Sequence, residues 1–184
     1  MKTMNHAPAT AQAAPAELTV DELRLVMMGA DDVDEAYRVH DANRAFLAQF
    51  LDFAESYTYE KAVESYARIE GWIQSGDLVT YKILDGDEMV GNVNMTFMGN
   101  GLGRLGYWLA ESAQGRGIAT RASQALIDYG FNERGLDTVE LLIKPENEPS
   151  QRVAERLRAT CVGQVIEERM GADVLFDVWE VSRG

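Results

Sequence analysis

The segment Leu105–Arg121 constrains the fold of this chain more than any other stretch. It begins with apolar and aromatic residues, as in a buried strand, and after a short loop the apolar residues recur at helical spacing. The segment therefore predicts strand, loop and helix. Because Gly115 and Gly117 carry no Cβ, the loop amides can turn toward a ligand, and the start of a helix favours an anion. We expect a diphosphate at this loop.

Spacing separates three kinds of phosphate loop. A Walker loop needs Lys and then Ser or Thr after its last glycine, but Gly117 is followed by Ile and Ala, which argues against ATP hydrolysis. The residues Gly101–Gly106 match a dinucleotide fingerprint, but a strand-like run follows where a helix should begin, so we interpret the match as a hairpin. What remains is the spacing Gln114-x-x-Gly117-x-Ala119, which an ordinary strand-to-helix turn would also show.

The length of 184 residues is enough for one domain with a substantial core. Residues 1–16 are rich in Ala, Pro and Thr and lack an apolar run, so we expect a flexible arm there. Residues 17–184 are then a single domain. No signal peptide or membrane span is apparent in the sequence, and a cytoplasmic location is expected.

The formal net charge of −13 limits the partners. Such acidity argues against nucleic acid and is compatible with a cationic partner such as an amine, although it also serves solubility. The single cysteine, Cys161, excludes an internal disulfide. Neither His6 nor His40 belongs to a cluster with metal-ligand spacing, so no metal is expected. We interpret His40 as a packed or solvated side chain on a helix.

Periodicity predicts a mixed α/β fold. The order is a strand near Leu23–Met27, two helices, three antiparallel strands, a central helix, a strand over Thr138–Ile143, another helix and two final strands. We predict one mixed, mostly antiparallel sheet of about seven strands flanked by four helices. The second helix, over Tyr59–Ser75, has an expected core stripe of Val63, Tyr66, Ile69 and Ile73.

Three stretches of the chain carry a family resemblance. They are Asp41-Ala42-Asn43-Arg44-x-Phe46-Leu47, the run Gly106–Leu109 leading into Gln114–Gly117, and Asn147–Leu157. Together they resemble the GCN5-related N-acetyltransferases (GNAT), and most of all the Rim-type ribosomal-protein N-acetyltransferases that act on a terminal serine. The Gln114-x-x-Gly117-x-Ala119 spacing matches the pyrophosphate loop of that family. The predicted order of elements also matches, so the resemblance covers nearly everything after Leu18.

The resemblance implies the GNAT acyl-CoA acyltransferase fold and acetyl-CoA as the co-substrate, with no metal. In this fold the pantetheine arm lies against main-chain groups of a splayed strand, here Trp108, Leu109 and Ala110, and the Leu109 amide is expected to polarise the thioester carbonyl. The residues expected to bind acetyl-CoA are Trp108, Leu109, Ala110, Gln114, Gly115, Arg116, Gly117, Ile118, Ala119, Thr120, Asn147 and Ser150.

Acetyl transfer requires a neutral amine, stabilisation of the charge that develops on the thioester oxygen, and a proton for the leaving thiolate. Many family members supply that proton from a tyrosine, but Ala154 stands at its position. The resemblance to the serine-acting enzymes assigns the role to Ser150, three residues after Asn147, with a helix cap as the alternative. It suggests Glu168 as the general base, and Glu140 is a further candidate.

The leading hypothesis is acetylation of a protein N-terminal α-amine, with a ribosomal protein as the acceptor. Two alternatives stay open: a small amine such as a polyamine, an amino acid or an aminoglycoside, and a non-catalytic acyl-CoA-binding module. The segment Asp41–Arg44 and the helix over Tyr59–Ser75 are expected to wall the acceptor pocket. Neither nucleic acid nor a membrane is an expected partner, and a homodimer is left open.

Overall fold

The computed structural model describes residues 14–184. Its strands are β1 (Glu17–Val20), β2 (Leu23–Met27), β3 (Leu78–Asp85), β4 (Glu88–Gly99), β5 (Leu102–Leu109), β6 (Thr138–Ile143), β7 (Thr160–Arg169) and β8 (Ala172–Ser182). Its helices are α1 (Val33–Ala42), α2 (Arg44–Leu47), α3 (Tyr59–Ser75), α4 (Ile118–Asn132) and α5 (Glu148–Arg156). Most of the expected flexible arm lies outside the described residues, so the arm and the domain boundary stay predictions.

All eight strands belong to one sheet with the order β1-β2-β3-β4-β5-β6-β8-β7. Neighbouring strands are antiparallel except for β5 and β6, which run parallel. The parallel pair arises because α4 lies between these two strands in the chain and carries it back along the sheet. The mixed, mostly antiparallel sheet confirms the predicted fold class.

The described part of the chain has one strand and one helix more than predicted. The extra strand β1 pairs with β2 around a tight turn in which Asp21 has a φ of 53°. The extra helix is the single turn α2. The glycine motif that begins at Gly101 lies in the hairpin between β4 and β5, as predicted.

One predicted core position on α3 is wrong. Val63 is 43% exposed, whereas Ala62 is fully buried. Ala62 shares one helical face with the other predicted positions, Tyr66, Ile69 and Ile73, because these residues follow spacings of four, three and four. Val63 lies about 100° around the helix from that face.

Helix α4 covers one face of the sheet. Its buried residues include Ile118, Ala122 and Leu126, which belong to the same cluster as Tyr81 and Met95 of the central strands. Burying a large aliphatic or aromatic side chain contributes about 1.5 to 3 kcal/mol. This cluster therefore stabilises the strand–loop–helix segment on which the sequence argument rested.

Strands β5 and β6 separate after a short paired stretch. Their pairing ends at Arg104 and Glu140, whereas β5 continues to Leu109 along β4 and β6 continues along β8. The Arg104 guanidinium lies 2.7 Å from a Glu140 oxygen and 2.9 Å from a Glu167 oxygen. This ion-pair network holds the base of the gap that opens between the two strands.

His40 on α1 is buried against the opposite face of the sheet, with 2% of its surface exposed. Its ring centroid lies 5.7 Å from that of Phe53, 4.8 Å from that of Tyr57 and 6.0 Å from that of Trp108. Neither ring nitrogen has a hydrogen-bond partner among residues 14–184. Burial, and to a smaller degree the charge of Arg44, lowers the pKa of His40 to about 4. The imidazole is therefore neutral at pH 7.

We expect His40 to reduce the free energy of unfolding as the pH falls from 7 to 5. The unfolded chain binds a proton on this ring below its ordinary pKa of about 6.5, whereas the folded chain binds it only near pH 4. The free energy of unfolding should therefore fall by about 2 kcal/mol over this range because of this group alone. Urea unfolding of the native chain and of His40→Phe, at both pH values, measures the difference. The same pH dependence in both proteins would contradict the expectation.

Candidate active site

A cavity of ≈ 500 Å³ fills the gap between β5 and β6. The expected acetyl-CoA residues that line it are Trp108, Leu109, Gln114, Ala119, Asn147 and Ser150, and the expected base Glu168 lines it as well. The other expected residues, in the loop and the first turn of α4 or at the end of β5, lie outside its lining: Ala110, Gly115, Arg116, Gly117, Ile118 and Thr120. The structure thus brings the expected catalytic residues to one cavity.

The free edge of β5 faces this cavity. The Ala110 N–H donates to the Val90 carbonyl oxygen at 2.8 Å, and alternate residues of an antiparallel strand bond to the same neighbour. The N–H groups of Tyr107 and Leu109 therefore point away from β4 and toward the gap, past the end of the β5–β6 pairing. By the same alternation the main-chain groups of Trp108 belong to the β4 ladder. The expectation that Trp108 and Ala110 offer free main-chain N–H groups to the pantetheine arm is therefore corrected, and of the three expected residues only Leu109 directs its N–H into the gap.

The loop Gln114–Gly117 turns the chain from β5 into α4. Gly115 has a φ of 74° and Gly117 a φ of 71°, both in the left-handed region that favours glycine. The Gln114 side-chain nitrogen donates to the Leu109 carbonyl oxygen at 3.2 Å, which fastens the loop to the end of β5. No side chain within residues 14–184 caps the start of α4, so none of these side chains occupies the N–H groups that its first turn can offer to an anion.

Carboxylates pair with the two arginines near this loop. Arg116 lies 2.5 Å from Asp85, and Arg121 lies 3.2 Å from Asp21 and 2.9 Å from Glu22. Arg116, one of the residues expected to bind acetyl-CoA, therefore adds little net positive charge to the loop, because the Asp85 carboxylate balances its charge. Attraction for an anion depends here on the main-chain N–H groups and the helix dipole.

Asn147 and Ser150 differ in their contacts at the start of α5. The Asn147 side-chain oxygen accepts a hydrogen bond from the Ser150 main-chain N–H at 3.2 Å, so Asn147 caps the helix. The Ser150 hydroxyl oxygen instead accepts a hydrogen bond from the Tyr107 hydroxyl at 3.1 Å. Burial raises the pKa of Tyr107, although the bond to Ser150 lowers it. Its phenol therefore stays protonated at neutral pH.

Tyr107 is a site residue that the sequence analysis missed. The position at which many family members carry a tyrosine is Ala154 here, and that residue is fully buried in the core. Tyr107 brings a phenol to the same cavity from β5 rather than from α5. Its place two residues before Leu109, on a strand whose alternate residues share a face, was the available signal.

The two glutamate candidates for the base, Glu140 and Glu168, have different environments. Glu140 is buried and, like Glu167, is paired with Arg104. Glu168 is exposed at the edge of the cavity and has no ion pair among residues 14–184. Of the two candidates, Glu168 is therefore the one that can accept a proton without breaking an ion pair within the described residues.

A second cavity, of ≈ 830 Å³, lies beneath α3 on the opposite face of the sheet. Its walls include aromatic side chains from the loop before α3 and from α3 itself, and its floor is polar. The residues that line both cavities are Leu51, Phe53, Tyr107, Trp108 and Met170. The two cavities therefore meet at the end of β5.

The segment Asp41–Arg44 lines neither cavity, which corrects the expectation that it walls the acceptor pocket. The segment instead holds the loop before α3, and residues of that loop line both cavities. The Arg44 guanidinium donates to the carbonyl oxygens of Ala54 at 2.6 Å and Tyr57 at 2.7 Å. These bonds commit guanidinium donors of Arg44 to the loop and fix the position of the loop.

The described residues contain no group of three or more His, Cys, Asp and Glu side chains placed to hold a metal ion. Within the same part of the chain, every helix is too short or too polar to cross a membrane. The single cysteine, Cys161, is exposed on β7.

Comparison with known proteins gives a family match over most of the chain. The model of the "Acetyltransferase (GNAT) domain" matches residues 22–160. The chain is 35% identical over 98 residues to the uncharacterized N-acetyltransferase p20 of Bacillus licheniformis, which covers 52% of this chain and 55% of that protein. It is 31% identical over 137 residues to the human alpha/beta-tubulin-N-acetyltransferase 9, covering 65% of this chain and 64% of that one.

The chain thus spans less than two thirds of the length of these two curated relatives. A longer match is the ribosomal-protein-serine acetyltransferase of Escherichia coli (strain K12), 27% identical over 141 residues, which make up 74% of this chain and 78% of that protein.

Solved structures confirm the fold. The ribosomal L7/L12 alpha-N-protein acetyltransferase RimL in complex with coenzyme A superposes with a TM-score of 0.82 at 24% identity, covering 90% of this chain and 97% of that chain. The microcin C7 self immunity acetyltransferase MccE in complex with acetyl-CoA and AMP has a TM-score of 0.81 at 20% identity, covering 93% and 98%. At these identities the likeness shows the fold. With the family match over residues 22–160, it establishes that this chain belongs to the GNAT acetyltransferases.

Proposed function

We propose that this chain transfers the acetyl group of acetyl-CoA to the α-amine of a protein N-terminus. The observation that carries the proposal is the meeting of two cavities at Tyr107 and Trp108, one beside an anion-binding loop and one on the opposite face of the sheet. Two substrates that enter from opposite faces can meet there. The names of two similar proteins, a ribosomal-protein-serine acetyltransferase and RimL, support a ribosomal protein as the acceptor.

Acetyl-CoA supplies an acetyl group that is activated as a thioester. The loop Gln114–Thr120 fits its diphosphate, because the two left-handed glycines leave the main-chain N–H groups accessible at the start of α4. The gap between β5 and β6 fits an extended arm, and the gap-facing N–H of Leu109 would polarise the thioester carbonyl. These residues form the proposed acetyl-CoA site.

Ser150 would donate the proton that the leaving thiolate needs. Its oxygen accepts a hydrogen bond from the Tyr107 hydroxyl, so its own proton stays free for the thiolate. Asn147 supports this role by capping α5 and fixing the position of the Ser150 main chain. Tyr107 would replace the proton that Ser150 gives up.

The acceptor must lose a proton before it attacks. An α-amine has a pKa of about 8, whereas lysine has one of about 10.4, so the α-amine needs far less help. Glu168 is the glutamate at the cavity edge that carries no ion pair, and it would take this proton directly or through water. Because the site offers little help with deprotonation, it should acetylate an α-amine in preference to the less acidic ammonium group of a lysine side chain. The homodimer and the cytoplasmic location stay predictions.

We expect Gly117→Val to weaken coenzyme A binding by at least about 10-fold, because a β-branched residue resists a φ of 71° and its side chain blocks the loop amides. The matched control is Gly135→Val, since Gly135 has a similar φ of 66° and lies away from the loop. Isothermal titration calorimetry with coenzyme A measures both. Equal affinities for the two variants would contradict the assignment of the loop.

Ser150→Ala should lower kcat by about 10-fold or more while acetyl-CoA binding changes little, because the lost group acts on the leaving thiolate. The Asn147 cap stays in place in this variant, so its melting temperature should hardly change. Asn147→Ala is the comparison, and it should cost about 1 kcal/mol of stability through the lost cap. A loss of stability without a loss of kcat in Ser150→Ala would mean that the hydroxyl is structural.

A thiol-release assay with two peptides tests the acceptor class. One peptide has a free N-terminal serine and no lysine, and the other has the same sequence with a blocked N-terminus and one lysine. We expect kcat/KM to be at least about 10-fold higher for the free α-amine, since its lower pKa leaves more of it unprotonated near neutral pH. A preference for the lysine peptide, or for a polyamine over both, would overturn the α-amine proposal and leave the acetyltransferase family assignment intact.

A further inference from the structure

The floor of the larger cavity is a row of polar side chains on the face of the sheet that α3 covers. Thr80 on β3 is paired with Asn94 on β4, and Asn92 lies on the same face two residues earlier. Asn92 is only 9% exposed, so its amide needs partners within the protein.

The main chain determines which way these amides point. The Asn92 side-chain nitrogen lies 3.0 Å from the Tyr81 carbonyl oxygen, which can only accept, so the nitrogen and not the oxygen must face it. The same nitrogen donates to the Thr80 hydroxyl at 2.7 Å. The Asn92 oxygen then accepts from the Asn94 nitrogen at 3.2 Å. This amide relay ends at the Asn94 side-chain oxygen, to which no protein donor within residues 14–184 is bonded.

Asn94 lines the larger cavity next to the part of β5 at which the two cavities meet. It is paired across the sheet with Gly106, two residues past the point at which β5 leaves β6. A Cβ on Gly106 would come within 3.1 Å of the Asn94 oxygen, so the missing side chain lets the amide lie against β5. Tyr107, which lines both cavities, follows Gly106 directly. The end of the relay therefore lies beside the point at which the larger cavity meets the smaller cavity, which is the one proposed to hold acetyl-CoA.

We propose that Asn94 binds the acceptor amine, with its side-chain oxygen accepting a hydrogen bond from the amine nitrogen and directing that nitrogen toward the acetyl group in the neighbouring cavity. Asn92 and Thr80 are positioning residues that act through Asn94. The inference rests on the proposed function, because it names the group that holds the acceptor at that same site.

The chemistry of the amide suits an amine that must become neutral. An uncharged oxygen binds an N–H group without the full negative charge that would stabilise the ammonium form. A carboxylate at the same place would raise the pKa of the bound amine and keep it protonated. An asparagine here positions the nucleophile while leaving deprotonation to another group.

Steady-state kinetics with acetyl-CoA and a six-residue peptide that has a free N-terminal serine tests the proposal. Asn94→Ala should lower kcat/KM for the peptide by about 10-fold, the equivalent of one hydrogen bond, with little change in the KM of acetyl-CoA. The matched control is Thr96→Ala, because Thr96 lies on the same face of β4 in the same cavity but farther from Gly106. It should lower kcat/KM for the peptide by much less than Asn94→Ala does, because Thr96 lies farther from the proposed position of the amine.

Asn94→Asp provides a second readout that a purely structural role would not move. The substitution keeps the size of the side chain. Because the added carboxylate should raise the pKa of the bound amine, the pH profile of kcat should move toward higher pH by about one unit. The proposal is overturned if Asn94→Ala behaves like Thr96→Ala, if both KM values rise together, or if Asn94→Asp leaves the pH profile unchanged. A native chain that acetylates no amine would instead overturn the proposed function.

Discussion

The early separation of β5 from β6 is the constraint on which the site depends. Pairing ends at Arg104 and Glu140, and the ion pairs of Arg104 with Glu140 and Glu167 hold that end of the gap. Beyond it, a sheet would normally satisfy the main-chain groups of β5 from both sides. Here the N–H of Leu109 faces the gap instead of a neighbouring strand, and the loop that starts α4 lies at the same end of β5.

Successive residues of β5 alternate in the direction of their main-chain and side-chain groups, so neighbouring residues of the strand have different surroundings. Leu109 and Tyr107 direct their main-chain N–H groups into the gap, whereas Trp108 packs beside His40 on the opposite face. One short strand thus borders both the cavity proposed to hold acetyl-CoA and the larger cavity. Because Gly106 has no side chain, the polar floor of the larger cavity can approach the strand at the point where the two cavities meet.

Local patterns in the sequence were sufficient for most of the fold and for naming residues that the structure brings to one cavity. The strand–loop–helix segment, the hairpin at Gly101 and the start of α5 are each determined by neighbouring residues. Contacts between distant residues were beyond such patterns. Three contacts depend on how separate elements pack: the bond of Tyr107 to Ser150, the pairing of Arg116 with Asp85, and the bond of Arg44 to the Tyr57 carbonyl oxygen. The face of α3 was misjudged because Ala62 and Val63 are both apolar.

The central claim is that an acyl-CoA cavity and an α-amine cavity meet at the end of β5. A conjugate in which coenzyme A is joined through an acetyl bridge to the α-nitrogen of a serine-initiated peptide would occupy both cavities at once. Calorimetry should show that it binds at least about 10-fold more tightly than coenzyme A alone. The same peptide joined through a lysine side chain, with its N-terminus blocked, should gain much less. Equal affinities for coenzyme A and for both conjugates would contradict the account.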